Sequence, residues 1–251
     1  MQNTKENNNI IAGRNAVMEA VKSGRDIDRI VVAKGTEGSV NKIVGRAKEM
    51  KIPIRYADRS VLDKTAEGTA HQGIIAFAAA HAYCEIEEIL GSAREKGEDP
   101  FVIILDNLED PHNLGAIMRS GECAGAHGVI IGKRRSVGLT ETVAKASAGA
   151  IEYMPCARVA NIGQAIDKLK EKGLWIAACD MGDDVFYKAD LTGPIGIVIG
   201  SEGSGIGRLV REKCDFTVSI PMKGRIDSLN ASNAAAILMY EIRRQRDGKK
   251  L

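Results

Sequence analysis

The feature that most constrains the fold is a set of short apolar runs in the longer C-terminal part of the chain. They are FVIIL (101–105), GVIIG (128–132), LWIAAC (174–179), GIVIG (196–200) and FTVSI (216–220). Stretches with helical periodicity, such as 113–125 and 161–173, separate them. Uninterrupted apolar strands that alternate with helices are typical of a mostly parallel sheet covered on both faces. We therefore predict an α/β fold with a ligand site at the carboxyl ends of its strands.

A smaller α/β module is predicted to precede this part of the chain. Residues 12–79 alternate between helical patterns and strand patterns. From 81 to 98 the composition becomes acidic and rich in turn-forming residues, which indicates a short helix followed by a linker. We predict an N-terminal domain over residues 1–80, a linker over 81–98 and a second domain over 99–251.

Composition argues against a membrane or exported protein. The chain has 251 residues and is 44% hydrophobic, which is enough for one sizeable core or two modest ones. Its longest apolar runs are strand-sized, far short of the roughly 20 residues that a membrane-spanning helix needs. The polar start, MQNTKENNNI, lacks the apolar segment of a secretion signal. We expect a cytoplasmic protein with no membrane association.

Cysteine and histidine usage predicts neither disulfides nor a metal site. The five cysteines are scattered and never form a CxxC pair, and no two of the four histidines stand at metal-ligand spacing. Net charge is only +2, but residues 1–80 carry 13 basic and 9 acidic side chains. This bias is compatible with a nucleic-acid partner but does not by itself point to one.

Three polar loops are predicted to meet at one edge of the sheet. Each follows an apolar strand and opens a helix: LDNLEDPHNLGAIMR (105–119), GSEGSGIG (200–207) and PMKGRIDSLNASN (221–233). Because the carboxyl ends of parallel strands share an edge, we expect these loops to form the rim of one binding site.

The residues alone leave the roles within these loops open. The segment 200–207 is either an anion-binding loop or a glycine-rich turn, since it has neither the Lys-Ser/Thr of a nucleotide-triphosphate loop nor GxGxxG spacing. Glu202 either interacts with a helix dipole or binds a substrate hydroxyl or a cation. Asn113 either caps its helix or faces a ligand, and Arg119 is either a surface charge or a phosphate clamp. About 120° separates these two positions around a helix, so both can reach one rim.

Taken together, the motifs resemble one family. NLGAIMRSGECAGAHGVII, IGIVIGSEGSGIG and SIPMKGRIDSLNASNAAAI are similar, in order and spacing, to the three successive motifs of the SpoU group of RNA ribose 2'-O-methyltransferases, within the SPOUT superfamily. In the first domain, IAGRNAVMEAVKSG and HQGIIAF are similar to the substrate-binding module of ribosomal-protein-like fold in that group.

The resemblance implies a cofactor and a fold. Members bind S-adenosylmethionine in a deep trefoil knot, made when the C-terminal segment threads through an earlier loop. By similarity, the cofactor pocket is lined by Gly200, Ile220, Met222 and Leu229.

The resemblance also implies catalytic residues. Arg119 matches the catalytic arginine. A guanidinium already carries its proton and has no acceptor, so it cannot take the proton of the hydroxyl. The implied role of Arg119 is to position the nucleotide and stabilise the developing alkoxide. The polar residues expected to orient the ribose, the cofactor and Arg119 are Asn113, Glu202, Ser228 and Asn230. Ala231 and Asn233 depart from the apolar residues that often follow SLN in the family.

The implied reaction is methylation of the ribose 2'-oxygen of a guanosine in large-subunit (23S) ribosomal RNA by a homodimer. A transfer RNA substrate, a non-catalytic RNA-binding SPOUT protein and a nucleotide-dependent oxidoreductase are the alternatives. His71 is either a buried structural residue or an RNA contact. The basic segment 133–135 and Arg225 are either solvated or in contact with RNA.

Overall fold

The computed structural model describes residues 10–182 and 184–248. The chain divides after Ala82 into two compact units. The first nine residues, which support the expectation that the protein is not exported, lie outside the described ranges.

The N-terminal unit is a four-stranded sheet with three helices. Its strands are ordered β1-β4-β2-β3, with β2 parallel to β3 and the other pairs antiparallel. The elements are β1 (Ile10–Ala12), α1 (Arg14–Lys22), β2 (Ile27–Ala33), α2 (Ser39–Glu49), β3 (Ile54–Ala57), α3 (Arg59–Thr65) and β4 (Ile74–Ala78). The predicted α/β pattern of this unit is confirmed, and β1 and α3 are additions to it.

The C-terminal unit is built on a six-stranded sheet. Its order is β10-β8-β9-β5-β6-β7, and every neighbouring pair is parallel. The strands are β5 (Phe101–Leu105), β6 (Gly128–Gly132), β7 (Cys156–Val159), β8 (Trp175–Cys179), β9 (Ile195–Ile199) and β10 (Phe216–Val218). The helices are α4 (Ile86–Glu95), α5 (Pro111–Ala124), α6 (Glu141–Ala146), α7 (Ile162–Glu171), α8 (Arg208–Arg211) and α9 (Ala231–Gly248). The predicted parallel sheet is therefore confirmed.

Helices cover both faces of this sheet, as the continuous apolar strands require. Side chains of a strand alternate between faces. Ile103 of β5 packs in a cluster that includes Ile117 of α5 and Leu238 of α9. Its neighbour Ile104 packs in a second cluster, with residues of α4 and α7. The threading of the C-terminal segment through a loop stays a prediction.

The range 81–98 contains the short helix that the sequence predicts there, and the linker after it stays a prediction. Its helix α4 packs on the sheet within the second unit, through the buried residues Ile86, Ile89, Leu90 and Ala93. These positions follow the i, i+3, i+4, i+7 spacing of an apolar helix face. The acidic, turn-forming composition of the segment is the reason why the sequence suggests a linker after this helix.

Two glycines let α5 approach its neighbours closely. A Cβ at Gly115 would lie 2.5 Å from the Ala146 Cβ of α6, and a Cβ at Gly121 would lie 2.6 Å from the Ile103 Cδ1 of β5. Real Cβ atoms do not approach other atoms this closely. These contacts fix the position of α5, the helix that carries Asn113 and Arg119.

A buried histidine links β5 and β6. The Nδ1 atom of His127 accepts a hydrogen bond from the Phe101 N–H at 3.0 Å, so Nε2 carries the proton and donates to Glu98 Oε2 at 3.2 Å. Burial, with a smaller contribution from Lys96, lowers the pKa of His127 below its ordinary value of 6.5. The folded protein therefore disfavours the charged imidazole.

We expect His127 to make stability depend on pH. Because its pKa is lower in the folded state than in the unfolded state, its contribution is complete above the unfolded pKa of about 6.5. This contribution is lost as pH falls through the folded pKa. His127→Asn keeps an acceptor for the Phe101 N–H and does not titrate, so its free energy of unfolding should fall less steeply between neutral and acidic pH. Denaturant unfolding at several pH values measures this, and equal slopes for the two proteins would contradict it.

No helix in the two described ranges is long and apolar enough to cross a membrane. Over the same ranges, no group of three or more His, Cys, Asp or Glu residues is arranged to hold a metal ion. All five cysteines are free thiols.

Candidate active site

Three loops of the C-terminal unit meet in one hydrogen-bonded cluster at the carboxyl edge of the sheet. The Asn113 Nδ2 donates to Glu202 Oε1 at 3.0 Å, and the Asn230 Nδ2 donates to Asn113 Oδ1 at 2.9 Å. The Asn230 amide also donates to Glu202 Oε1. These residues follow β5, β9 and β10, so we call Asn113, Glu202 and Asn230 the amide–carboxylate cluster.

Helix capping places Asn113 in this cluster. The Asp110 carboxylate accepts hydrogen bonds from the backbone N–H groups of His112 (2.6 Å) and Asn113 (3.2 Å), and Pro111 occupies the first turn. Asp110, rather than Asn113, is therefore the N-cap of α5. The side chain of Asn113 lies inside the first turn, where it reaches Glu202.

Asn230 has two structural roles. Its Oδ1 caps α9 by accepting hydrogen bonds from the N–H groups of Ser232 at 2.9 Å and Asn233 at 3.3 Å. Its Nδ2 donates to the amide–carboxylate cluster. One amide thus fixes the start of the last helix and joins it to two other loops. Asn233, which departs from the family pattern, takes part in the cap through its backbone.

A cavity of about 410 Å³ adjoins the cluster, and we call it the β9 cavity. All four residues expected to bind the cofactor line it: Gly200, Ile220, Met222 and Leu229. Glu202 and Ser228 line it too, and the Ser228 hydroxyl lies 3.3 Å from Asp227 Oδ1. The structure therefore brings six of the nine expected site residues to one cavity.

The β9 cavity also has lining residues that sequence reasoning missed. Cys179, Asp180 and Met181 come from the end of β8. The signal was present, because the run LWIAAC ends at the same sheet edge as the other strands. Burial, with a smaller contribution from Asp180, raises the pKa of the Cys179 thiol to about 11. This thiol is therefore protonated at neutral pH and is no nucleophile there.

Gly200 allows the loop after β9 to fold back on itself. Ser201 and Gly205 form a two-way backbone bridge, with N–O distances of 3.2 and 2.9 Å. A Cβ at Gly200 would lie well under 3.0 Å from the carbonyl group of Gly205 and the nitrogen of Ile206. Only glycine fits this position, because backbone atoms of the same loop occupy the space.

Arg119 lies apart from the amide–carboxylate cluster. Its side chain is exposed and has no hydrogen-bond or ion-pair partner within the described part of the chain. Helix geometry places its Cα about 9 Å along the axis of α5 from that of Asn113. The structure thus joins Asn113, Glu202 and Asn230 directly, and it leaves Arg119 available to a bound ligand.

Two substitutions of Asn230 separate its roles. Asn230→Ser keeps a good N-cap and removes the bridging amide, whereas Asn230→Ala removes both. We expect the alanine variant to be less stable than the serine variant by about 1 kcal/mol, or about 2–4 °C in melting temperature for a chain of this size. Both variants should lose activity to a similar degree, because both remove the amide that joins Asn113 and Glu202 to the start of α9. Calorimetric melting and an activity assay check this, and full activity in the serine variant would contradict the bridging role.

The fold and the site define an α/β protein with a ligand site at the carboxyl edge of a parallel sheet, preceded by a smaller α/β unit. The profile of the SpoU rRNA Methylase family matches residues 100–240, and that of the RNA 2'-O ribose methyltransferase substrate-binding domain matches residues 10–84. The chain belongs to the SpoU family of RNA methyltransferases.

Relatives match over nearly their whole length. YacO of Bacillus subtilis (strain 168), named for the TrmH family of tRNA/rRNA methyltransferases, is 48% identical over 239 residues, which are 94% of this chain and 96% of YacO. A Staphylococcus haemolyticus protein with the same family name is 46% identical over 241 residues, with the same coverages. Among solved structures, the SpoU methyltransferase AviRb of Streptomyces viridochromogenes, in complex with AdoMet, superposes with a TM-score of 0.62 at 24% identity. That match covers 95% of this chain and 90% of AviRb, and it shows a shared fold.

Proposed function

We propose that the protein transfers a methyl group from S-adenosylmethionine to the ribose 2'-oxygen of a guanosine in large-subunit ribosomal RNA. The observation that carries the proposal is the position of Glu202. This residue belongs to the amide–carboxylate cluster and also lines the β9 cavity. A cofactor in that cavity and a hydroxyl held by the cluster would therefore be neighbours.

The β9 cavity fits S-adenosylmethionine chemically. Ile220, Met222 and Leu229 offer apolar surface for the adenine ring. Asp180 and the backbone of the glycine-rich loop offer polar groups for the charged amino-acid part. A neighbour in structure, AviRb, was solved with AdoMet. Bound S-adenosylmethionine supplies an electrophilic methyl group, so the protein needs no metal for this chemistry.

The protein's contribution to the reaction is alignment and charge stabilisation. Asn113, Glu202 and Asn230 are hydrogen-bonded to one another, so they form a rigid polar wall that can orient the ribose. The exposed Arg119 side chain lines neither cavity, so it would reach the 2'-oxygen once the RNA is bound. There its guanidinium would stabilise the negative charge that develops. Alignment of the hydroxyl with the methyl group supplies much of the rate.

The family matches indicate which RNA is the substrate. The N-terminal unit matches a substrate-binding profile, and the catalytic unit matches a family described as rRNA methylases. These matches support ribosomal RNA as the substrate. We therefore propose that the protein acts in the cytoplasm. The relatives are named for both tRNA and rRNA, so transfer RNA is the second candidate.

We also propose a homodimer. Large apolar side chains are exposed on the segment before α9 and on α9 itself: Ile226 is 73% exposed and Tyr240 is 53% exposed, with Met222, Leu229 and Ile237 nearby in sequence. Exposed apolar surface of this kind marks protein contacts. The mass in solution, from light scattering, should be twice that of the chain, and a strictly monomeric mass would contradict the dimer.

The test of the function uses methyl-labelled S-adenosylmethionine with ribosomal RNA and transfer RNA in separate reactions. We expect label in ribosomal RNA, at a guanosine 2'-O-methyl group found by mass spectrometry of the digested RNA. Label in transfer RNA alone would replace the substrate. No label in either pool, together with no S-adenosylmethionine affinity by calorimetry, would favour a non-catalytic RNA-binding protein.

A further inference from the structure

A second cavity, of about 530 Å³, shares a wall with the β9 cavity. We call it the α5 cavity. The shared wall is the segment 201–204, which includes Glu202, and Asn113 also lines the α5 cavity. Its other lining residues are Asn107, Leu108, Glu109, Asp110 and Arg135. Glu202 of the amide–carboxylate cluster therefore lines both cavities.

Arg135 is the one cation among the described residues that line the α5 cavity. It is exposed and has no hydrogen-bond or ion-pair partner within residues 10–182 and 184–248. The acidic groups that share the cavity are largely engaged: Asp110 caps α5, and Glu202 accepts from two amides. Glu109 is exposed at the rim. The guanidinium of Arg135 is thus available to an anion.

The backbone around this cavity is held in an uncommon conformation. Arg135 has φ = 53° and Asn107 has φ = 57°, so two non-glycine residues in the left-handed region line the same cavity. Each such residue costs of order 1 kcal/mol or more, and strain of this kind concentrates at functional sites. The lining residues are the main argument for a ligand-binding role of the cavity, and this strain adds support to it.

We propose that the α5 cavity receives the target nucleotide and that Arg135 binds the phosphate adjoining the methylated ribose. This inference rests on the proposed function. If the methyl donor occupies the β9 cavity, the 2'-oxygen must lie at the wall that Glu202 shares between the two cavities. The rest of the nucleotide then extends into the α5 cavity, where Arg135 is the available cation. A planar guanidinium binds a phosphate through two parallel hydrogen bonds.

The test compares Arg135→Ala and Arg135→Lys with the wild type and with Arg94→Ala. Arg94 is an exposed cation on α4 that has no side-chain partner in the described part of the chain and lines neither cavity. Deproteinised large-subunit ribosomal RNA serves as the ligand in a binding titration over a range of salt concentrations. Methyl transfer to the same RNA and calorimetry with S-adenosylmethionine are measured in parallel.

We expect Arg135→Ala to weaken RNA binding and raise the KM for RNA on the order of tenfold or more. The slope of log K against log salt should decrease in magnitude by about 0.7–0.9, which corresponds to one lost phosphate contact. The Arg135→Lys protein should keep the salt slope, because lysine keeps the positive charge. It should bind RNA less tightly, because lysine cannot form the two parallel hydrogen bonds of a guanidinium. S-adenosylmethionine affinity should not change, and Arg94→Ala should behave like the wild type.

Several outcomes would overturn the assignment. An unchanged salt slope in Arg135→Ala, or an equal loss in Arg94→Ala, would refute a phosphate contact at Arg135. A changed preference for the methylated base with an unchanged slope would mean that Arg135 reads the base. Failure of the proposed function is distinguishable, because the wild type would then transfer no methyl group, whereas the binding titration would still test Arg135.

Discussion

Arg119→Ala should lose methyl transfer while binding S-adenosylmethionine as the wild type does. The side chain is exposed, has no partner within the described ranges and lines neither cavity, so its removal leaves the fold and the β9 cavity intact. In the proposed reaction its positive charge acts on the developing alkoxide. Removal of one such stabilising group costs about 10²–10³ in rate.

The measurement pairs single-turnover methyl transfer with calorimetric binding of S-adenosylmethionine. Arg119→Lys serves as the conservative variant: it keeps a charge and loses the planar fork, so it should recover part of the rate. Normal transfer by Arg119→Ala would show that the arginine has no part in the chemistry. A parallel loss of cofactor affinity would show instead that Arg119 supports the β9 cavity.

Gly200→Ala is expected to abolish binding of S-adenosylmethionine. The added methyl group would overlap the backbone of Gly205 and Ile206. Backbone atoms cannot move aside like the end of a flexible side chain, so the loop must open and the Ser201–Gly205 bridge must break. That loop forms one wall of the cavity. We expect affinity to fall by about 100-fold or more, equivalent to about 2.7 kcal/mol.

Gly203→Ala is the matched control. It lies in the same loop, yet a Cβ there would meet no atom within 4 Å. Its cofactor affinity should stay within a few-fold of the wild type. Calorimetry on the two variants compares a blocked position with an open one, and tight binding by Gly200→Ala would mean that this loop does not shape the cofactor site.

The central strands could be predicted from sequence because buried strands consist of apolar residues. Every residue of β5, β6 and β9 is buried, so each appears as an unbroken apolar run. The edge strand β7, with the sequence CARV, is only half buried and contains an arginine, so it escaped prediction. Strand order could not be predicted, because crossover connections allow parallel strands to pair with distant parts of the chain.

The location of the site could be predicted from the sequence better than the contacts between its side chains. The convergence of three loops followed from the geometry of parallel strands. The contacts depend on side-chain direction, which sequence does not encode locally. Asp110 caps α5, so the side chain of Asn113 is free to reach Glu202. Asn and Asp both favour the N-cap position, so the sequence does not show which of the two caps the helix. The β8 residues were missed because the other three loops were recognised by the helix that each opens. The described residues between β8 and β9 form only a short 3-10 helix.

The segment 201–204 forms part of two cavities at once. If a ligand in one cavity changes the conformation of this segment, binding of the two ligands is thermodynamically linked. If one ligand tightens the binding of the other by some factor, the reverse effect must have that same factor. The coupling would be measured as the ratio of the affinities for RNA with and without saturating S-adenosylmethionine.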